Sequence, residues 1–443
     1  MSAPPIKQRG AATLVVVMVL FLIMAMMAAY ANRNMVFEQR IATNYYRANV
    51  AVEAAEAGIE WTLGMLNGTN IDNSCQSAST ATTSFRSRYL TTIDPRDRSI
   101  AVRQSPTGVV TLGHAACVKN DTQGTWTCQC RDGMVTMTQF PAAPAAERLQ
   151  PAFYVTLDRR AANSATPPPA RKPGTVRLRS VGCSGSSIPT CSNPESNALA
   201  MHGRSTVEAD IALVSALKNA PASPLTVKGM LTVDAESLGL HNSDPRANGM
   251  LLVTGEARPS SPALRTDRMS SLPGSDPTTA ILDNDLSLKN APTGRMFSRY
   301  FGMTLQQYLD QPAMRKITCP EADCGSTLVT AYARGVRMAW VDGPVTIASN
   351  VTLGSAAMPM VIVAKGTLTL EGPMQLTGLI YATGQGRWTG SSTQPSLITG
   401  LLMLEGSLDV TGRADIWYHP SVVNQLKNAT GSFVRMPGSW WNY

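Results

Sequence analysis

Apolar residues run without a break over the first part of the chain. From Ala11 to Tyr30 the sequence contains no charged residue, no glycine and no proline. Twenty helical residues rise about 30 Å, which matches the thickness of the hydrocarbon core of a bilayer. The pattern therefore predicts a helix that crosses a membrane.

The helical pattern continues well beyond the apolar run. No proline interrupts residues 11–66, and Asn67-Gly68 is typical of a helix end. The sequence predicts one rod over Ala11–Leu66, roughly 80–85 Å long at about 1.5 Å per residue. An apolar stripe in its second half is expected to pack on a globular domain. The stripe consists of Val52, Ala55, Ile59, Leu63 and Leu66.

Polar and apolar residues then alternate in several short segments, as in an antiparallel sheet with one buried face. The clearest are Phe153–Leu157, Thr175–Gly182 and Thr206–Val214. Weaker candidates are Ser99–Arg103, Val109–Leu112 and Thr125–Cys130. We assign residues 67–219 to a head domain that receives the helix.

The pattern of apolar and turn residues changes after Ala220-Pro221-Ala222-Ser223-Pro224, which has the composition of a linker. Strand-like segments of roughly three to five residues follow, most of them ending in glycine and recurring about every 6–10 residues. Over residues 220–443 this predicts a β-solenoid-like domain or stacked hairpins, with a compact β-sandwich as the alternative. A helical insertion is expected over residues 294–335, with Thr304 as a helix cap inside it. The final segment, Ser432–Tyr443, is expected to close the last coil, or else to offer a binding surface.

Composition narrows the class of protein. Charged residues make up 15% and aromatic residues 6% of the chain, which favours a β-rich extracellular module over a cytosolic enzyme. The formal charge is +8, but the basic residues are scattered, so nucleic-acid binding is not expected. Lys7 and Arg9 precede the apolar run and are expected to hold the N-terminus in the cytoplasm. The chain after Asn32 would then be periplasmic or extracellular.

All eight cysteines follow the apolar run, and in an oxidising compartment they are expected to form disulfides. Cys183–Cys191 and Cys319–Cys324 are the local pairs. The remaining four are expected to pair among themselves, and the sequence does not decide which cysteine pairs with which; they are Cys75, Cys117, Cys128 and Cys130.

Motifs for catalysis or cofactor binding do not stand out. The chain has no phosphate-binding loop, no Gly-x-Ser-x-Gly elbow and no His-Glu-x-x-His sequence. It has no Cys-x-x-Cys pair, and its four histidines are far apart in sequence. We therefore expect no catalytic residue, no cofactor and no metal.

The first residues resemble a known family. Lys7-Gln8-Arg9-Gly10, directly before the apolar run, resembles the leader of a type IV prepilin. The segments Gln8–Leu14 and Ala51–Ala57 together resemble the PilX family of minor pilins. This resemblance covers about residues 7–66.

The resemblance implies a fold, a processing step and a set of partners. Residues 1–10 would be a leader that the prepilin peptidase cuts between Gly10 and Ala11. The α+β fold would be a long pilin helix packed on an antiparallel sheet, followed by the β-rich C-terminal domain. The chain would sit in the inner membrane with a periplasmic C-terminus and then enter a pilus, with other minor pilins, the major pilin and a tip adhesin as partners. Its assembly residues would lie along the helix; they are Leu14, Val15, Leu20, Glu53 and Glu56.

One position departs from the family pattern. Most pilins carry a glutamate at the fifth mature residue, where this chain has Val15. An acid inside a membrane is costly without a partner, so its loss is consistent with a subunit that primes or caps the filament and displays an adhesive head. The alternatives are a tip pseudopilin of type II secretion, a membrane-anchored β-solenoid carbohydrate-binding protein or enzyme, and a simple anchor without an assembly role.

The leader generates the first prediction. Replacing Gly10 with valine (Gly10→Val) should block cleavage, because a branched side chain then occupies the residue on the leader side of the scissile bond. Mass spectrometry of the N-terminus should find Ala11 first in wild-type cells and the uncut leader in the variant or in cells lacking the peptidase. A wild-type protein that begins near Ala31 would contradict the prepilin interpretation.

Overall fold

The computed structural model describes residues 11–442, apart from residues 95–98, 103–114, 120–123, 131–149, 159–173, 186–202, 235–237, 260–263, 265, 391–393 and 395. Gly10, Cys191 and the predicted strand Val109–Leu112 lie outside the described residues. The fold is mixed α+β, with a long N-terminal helix, an antiparallel sheet and a β-rich C-terminal region.

Helix α1 spans Ala11–Leu66, the bounds that the sequence predicts. Its first half projects away from the rest of the chain, and residues 12–46 are exposed. Its second half lies on the head sheet, where Ala51, Ala55, Ile59 and Thr62 are buried. Val52 and Leu63 are only half-buried, so the buried stripe is rotated by about one residue from the predicted one.

The head sheet has six antiparallel strands in the order β4–β3–β5–β6–β7–β25. These strands are β3 Ala115–Lys119, β4 Trp126–Cys130, β5 Ala152–Asp158, β6 Thr175–Cys183, β7 Arg204–Ser215 and β25 Gly431–Asn442. A separate pair, β1 Leu90–Asp94 and β2 Ser99–Val102, follows the short helix α2 Phe85–Tyr89.

The last strand of the head sheet comes from the end of the chain. β25 pairs with β7, and Phe433 lies opposite Leu213 in the core beneath α1. The expectation that Ser432–Tyr443 closes the last coil of the C-terminal domain is therefore wrong. Without β25, the outer edge of β7 would leave its backbone groups unpaired. β25 pairs with this edge, and the apolar side chain of Phe433 completes the head core. The head therefore includes β25 as well as the strands up to β7, and the C-terminal body, residues 216–430, is inserted between β7 and β25.

Small residues let α1 approach the sheet closely. A Cβ atom added to Gly182 of β6 would lie 2.1 Å from the carbonyl oxygen of Ala51, and one added to Gly203 would lie 2.4 Å from that of Arg47. These contacts involve backbone atoms on the helix, which cannot move aside as a side-chain tip can. Glycine at both positions therefore sets the distance between helix and sheet.

The C-terminal body contains two parallel sheets, and every strand pair described in it is parallel. The larger sheet comprises β8 Leu225–Val227, β10 Leu238–His241, β11 Leu252–Thr254, β12 Met269–Ser270, β13 Ile281–Leu282, β14 Met314–Lys316, β15 Met338–Asp342, β17 Val351–Leu353, β18 Met360–Lys365, β20 Met374–Ala382, β22 Ser396–Leu404 and β24 Ala414–Trp417. The smaller sheet comprises β9 Leu231–Val233, β16 Val345–Ile347, β19 Leu368–Glu371, β21 Gly386–Thr389 and β23 Leu408–Thr411.

From β18 to β24 the chain alternates between these two sheets. Their inward valine, isoleucine and leucine side chains share one core. Parallel pairing rules out stacked hairpins for the described strands and is the pairing that a solenoid requires. The solenoid remains our interpretation of this arrangement.

Turn glycines explain why the predicted strands end as they do. A Cβ atom on Gly384 would lie 2.6 Å from the carbonyl oxygen of Gly366, and one on Gly406 would lie 2.4 Å from that of Gly384. Successive passes of the chain between the two sheets thus touch backbone to backbone at one corner. The recurring glycine in the sequence is a packing requirement of this corner.

Helices cover one outer face of the larger sheet. Helix α4, Arg295–Phe301, is followed by a break at Gly302, and Thr304 caps helix α5, Leu305–Leu309, through a capping box with Gln307. The predicted helical insertion is thus three short helices with strand β14 among them. The helices of the body are α3 Leu286–Lys289, α4 Arg295–Phe301, α5 Leu305–Leu309, α6 Gly325–Ala333 and α7 Pro420–Asn428. Three single-turn 3₁₀ helices span Pro245–Ala247, Thr266–Arg268 and Pro277–Ala280.

The described cysteines are all bonded. Disulfides join Cys75 to Cys130, Cys117 to Cys128, and Cys319 to Cys324. Cys183 is also disulfide-bonded, while its expected partner Cys191 lies outside the described residues. Cys117 and Cys128 face each other on paired strands β3 and β4.

The close helix–sheet contact generates the second prediction. Gly182→Ala should lower the thermal midpoint of unfolding, because its Cβ would push the backbone of α1 off β6; overpacking of this kind typically costs about 1–3 kcal/mol. Gly64→Ala is the control, because Gly64 lies in the same helix with nothing within 4 Å of its added Cβ. It should raise the midpoint, since alanine favours a helix over glycine by about 0.5–1 kcal/mol. Far-UV circular dichroism of the full chain in detergent measures both midpoints. An unchanged midpoint for Gly182→Ala would contradict the close packing of α1 on β6.

Candidate functional site

The first half of α1 is a continuous apolar surface. Leu14, Val15 and Leu20 are 62%, 58% and 52% exposed, and their neighbours along the helix are similarly open. Among the described residues, α1 is the one helix that is long and apolar enough to cross a membrane. Burying each such large apolar side chain typically contributes about 1.5–3 kcal/mol, so this surface needs an apolar environment from outside the chain.

Charged residues occur in α1 only from about its middle onwards. No acidic residue precedes Glu38 in the helix, and the position of Val15 carries no carboxylate. Glu53 and Glu56 are exposed, and neither forms an ion pair within the described part of the chain. Glu60, one turn further, pairs with Arg435 of β25 at 3.0 Å. Two of the three acidic residues on this stretch therefore remain open to a neighbouring molecule.

Asn67 fixes the end of α1 to the last strand of the chain. Its side-chain amide donates to the carbonyl oxygen of Phe433 at 2.8 Å, and its side-chain oxygen accepts from the Phe433 N–H at 2.8 Å. The same amide donates to Leu63 of the last helical turn at 2.9 Å. This buried asparagine is both a helix cap and a mimic of a backbone strand partner.

Three helices end at the boundary between head and body, and an arginine caps each end; two of these arginines come from distant segments and Arg337 directly follows the helix it caps. Arg315 donates to the carbonyl oxygen of Asn67 at the end of α1, at 2.7 Å. Arg337 donates to that of Tyr332 in the last turn of α6, at 2.8 Å. Arg86 donates to that of Ala429 at the end of α7. The C-terminal end of a helix carries a partial negative charge, so each guanidinium stabilises the helix end it caps.

Asn70 adds a second connection between head and body. Its backbone N–H donates to the carbonyl oxygen of Arg334 at 2.8 Å, and its side-chain amide donates to that of Ala333 at 3.0 Å. Gly335, with a φ of +97°, follows, and a Cβ there would lie 2.4 Å from the Asn70 side-chain oxygen. The base of α1 is thus held by hydrogen bonds as well as by the strands that connect head and body.

A polar and aromatic surface lies on the outward-facing side of strands β10 and β24 of the larger sheet. The indole of Trp417 is 51% exposed, and the ring of His241 lies against it with centroids 4.5 Å apart. Strand pairing continues this row through Ser270 on one side and through Thr399 and Thr377 on the other. We call these five residues the aromatic row.

Charged groups beside the aromatic row balance one another. Arg268 contacts Asp415 at 2.6 Å, and Asp415 lies 3.4 Å from the Nε2 atom of His241. Burial alone would raise the pKa of Asp415, but hydrogen bonds from His241 and Arg268 outweigh it and hold the pKa below its usual value. Ser270 Oγ lies 2.8 Å from His241 Nδ1. The patch offers hydrogen-bond donors and acceptors with little net charge.

Metal ligands are not gathered anywhere in the described residues: no group of three or more histidine, cysteine, aspartate or glutamate side chains could hold an ion there. Of the residues predicted to serve assembly, Leu14, Val15 and Leu20 share the exposed apolar surface, and Glu53 and Glu56 lie on the exposed side of the second half of α1. The processing residue Gly10 lies outside the described range.

Sequence reasoning missed the residues at the base of α1. The sequence identifies Asn67 only as part of a helix end, and it does not distinguish the arginines at positions 86, 315 and 337 from other scattered basic residues. The available signal was the Asn-Gly pair at the end of a long helix, but its partner strand lies more than 360 residues away in sequence.

Comparisons with known proteins bear on the N-terminal part of the chain. A family model described as PilX N-terminal matches residues 9–60. No curated protein matches the chain. Among solved structures, the chain is similar to the competence-associated pilin ComZ from Thermus thermophilus, with 10% sequence identity over 90% of this chain and 97% of that chain. The TM-score of 0.17 is too low to establish a shared fold.

The matched residues contain Arg9-Gly10, directly before the apolar run, and the first 50 residues of α1. These are the segments on which the resemblance was based. Residues 9–60 of this chain are therefore similar to the N-terminal domain of the PilX family.

Proposed function

We propose that this chain is a minor pilin that primes or caps a type IV pilus and displays the C-terminal body at the filament end. The observation that carries the proposal is the division of the molecule along its length. An apolar helix surface without a partner in the described residues lies at one end, and a large folded body lies at the other. The first suits insertion among other pilin helices, and the second suits display.

The size and attachment of the body support a place at the end of a filament. The body occupies residues 216–430, between two neighbouring strands of the head sheet. Two chain connections join it to the head, together with the hydrogen bond from Arg315 to Asn67 and those from Asn70 to Ala333 and Arg334. A rigid body of this size is difficult to repeat in a closely packed shaft, whereas the end of a filament leaves room for it.

Val15 supports the same position. A shaft subunit with a glutamate there can neutralise the terminal amine of a neighbour, but the first subunit in a filament has no earlier neighbour to serve. A carboxylate without a partner in the membrane is costly, so an apolar residue suits a priming subunit. The proposed partners are other minor pilins, the major pilin and a tip adhesin. The proposed role is not enzymatic, and the proposed orientation places the head and body in the periplasm before assembly.

The third prediction tests where this subunit lies in the pilus. Deleting the gene should sharply lower the number of pili per cell, because priming would fail. Immunogold against the body should label the ends of wild-type pili. Regular labelling along the shaft, at a density near that of the major pilin, would contradict the tip model. Unchanged pili with a defect in protein secretion would instead support a type II secretion pseudopilin.

The aromatic row favours a second candidate function, a carbohydrate-binding surface. Exposed tryptophan beside hydroxyl and imidazole groups is a combination that can stack on a sugar ring and hydrogen-bond its hydroxyls. Outside α1, Trp417 is the one aromatic side chain among the large exposed hydrophobic residues that the structure describes. The near-neutral charge of the patch suits an uncharged polysaccharide.

The fourth prediction tests this surface. Native gels that contain dextran or hydroxyethyl cellulose should retard the full chain in detergent, and Trp417→Ala should abolish the retardation by removing the stacking face. Met230→Ala is the control, because Met230 is a similarly exposed large residue on the same body. Equal retardation of Trp417→Ala and wild type, or none for wild type, would reject this function for the row.

A further inference from the structure

We infer that the cavity between head and body is an anion-binding pocket, which takes carboxylate groups from an acidic segment of a partner protein onto Arg86, Arg315 and Arg337. The inference goes beyond the proposed function, because it does not depend on whether the subunit lies at the end of a filament or within it. It rests on the charge and shape of the boundary where α1, α6 and α7 end.

The cavity has a volume of about 400 Å³ and is open to solvent. Its walls come from both halves of the molecule: the residues after α1, helix α2, strand β14, the segment after α6 and the segment after α7. Ligand pockets in proteins are typically about 300–1,000 Å³. The space therefore suits a few side chains of a peptide rather than a single ion.

The charged side chains that line the cavity are all basic. The lining contains Arg86, Arg315 and Arg337 and no aspartate or glutamate. Within the described part of the chain, none of the three forms an ion pair with a carboxylate; their hydrogen bonds go to backbone carbonyl oxygens, and Arg337 has one further, longer contact to the sulfur of Met358. A guanidinium has five N–H donors, so each arginine retains donors beyond those used on the helix ends.

The helix ends do not neutralise these charges. Each helix C-terminus contributes about half a negative charge, so three of them offset about half of the three positive charges. The cavity keeps an excess of roughly 1.5 positive charges by this count. Burial lowers the pKa of all three arginines, that of Arg86 to about 10, which is the effect of removing a cation from water without supplying an anion.

Carboxylate is the anion that this arrangement fits. The planar guanidinium donates two parallel hydrogen bonds to a carboxylate, and clusters of arginine are a recurrent means of recognising acidic motifs. Met358, half exposed beside Arg337, adds an apolar rim of the kind enriched at protein interfaces. A small free anion would share the chemistry but would leave most of the cavity unfilled, so we assign the pocket to an acidic peptide segment.

The experiment uses the full chain in detergent with acetylated pentaglutamate amide as the probe and isothermal titration as the measurement. Wild type should bind the peptide saturably, more weakly as salt rises, and should not bind pentaglutamine. Arg315→Gln and Arg337→Gln should each weaken binding at least tenfold. Arg258→Gln is the control and should change binding less than twofold, because Arg258 also donates to a carbonyl oxygen, that of Thr278, but lies outside the cavity.

Three results would overturn the inference. They are unchanged binding in both pocket variants, equal weakening by Arg258→Gln, and binding of citrate without binding of the peptide; the last would reject a protein partner as the source of the carboxylate. If the variants fail to fold, phenylglyoxal modification of wild type replaces them. Pentaglutamate should protect Arg315 and Arg337 from modification as read by peptide mass spectrometry, and modification at the same rate with and without the peptide would reject the pocket.

Discussion

The apolar surface of the first half of α1 has no counterpart in the described residues, and this is the constraint on which the other features depend. From Leu14 to Tyr46 nearly every large apolar side chain of the helix is exposed. At about 1.5–3 kcal/mol for each side chain, leaving the whole surface in water would cost on the order of tens of kcal/mol. A bilayer first and neighbouring helices later would satisfy it. The rest of the molecule can then be understood as what holds this helix at its base.

The base of α1 is held by contacts that leave little freedom. Glycines at positions 182 and 203 bring the helix backbone against the sheet, and Asn67 joins its end to β25. Because β25 begins after the last helix of the body, the helix end, the head sheet and the body meet at one place. The end of α1 and the body are therefore joined by hydrogen bonds as well as by the chain connections at β7 and β25.

Local patterns in the sequence were sufficient for elements that depend on local interactions. The bounds of α1 followed from an uninterrupted helical pattern and the Asn67-Gly68 stop, and the Thr304 cap followed from a preference that acts within one turn. The strands of the body followed from short apolar segments ending in glycine, although their parallel pairing was not determined by the pattern. The predicted apolar stripe on α1 was displaced by about one residue, because glycine contacts rather than large side chains define the closest face.

Features that depend on distant pairing could not be predicted in this way. The alternation in β25 resembles that of a strand in the body, and only the open edge of β7 assigns it to the head. The three arginines at the boundary are far apart in sequence and gain their meaning from helix ends that meet in space. Their charge, seen in the sequence alone, is the same as that of any solvated arginine.

In the proposed function, neighbouring pilin helices cover the apolar surface of α1. A photoreactive amino acid at position 20, introduced in cells that assemble pili, would record what lies against this surface. We expect crosslinked adducts between this chain and other pilin subunits, identified by mass spectrometry, and fewer such adducts when the prepilin peptidase is absent. Adducts to lipid alone, in cells that carry normal pili, would contradict this expectation.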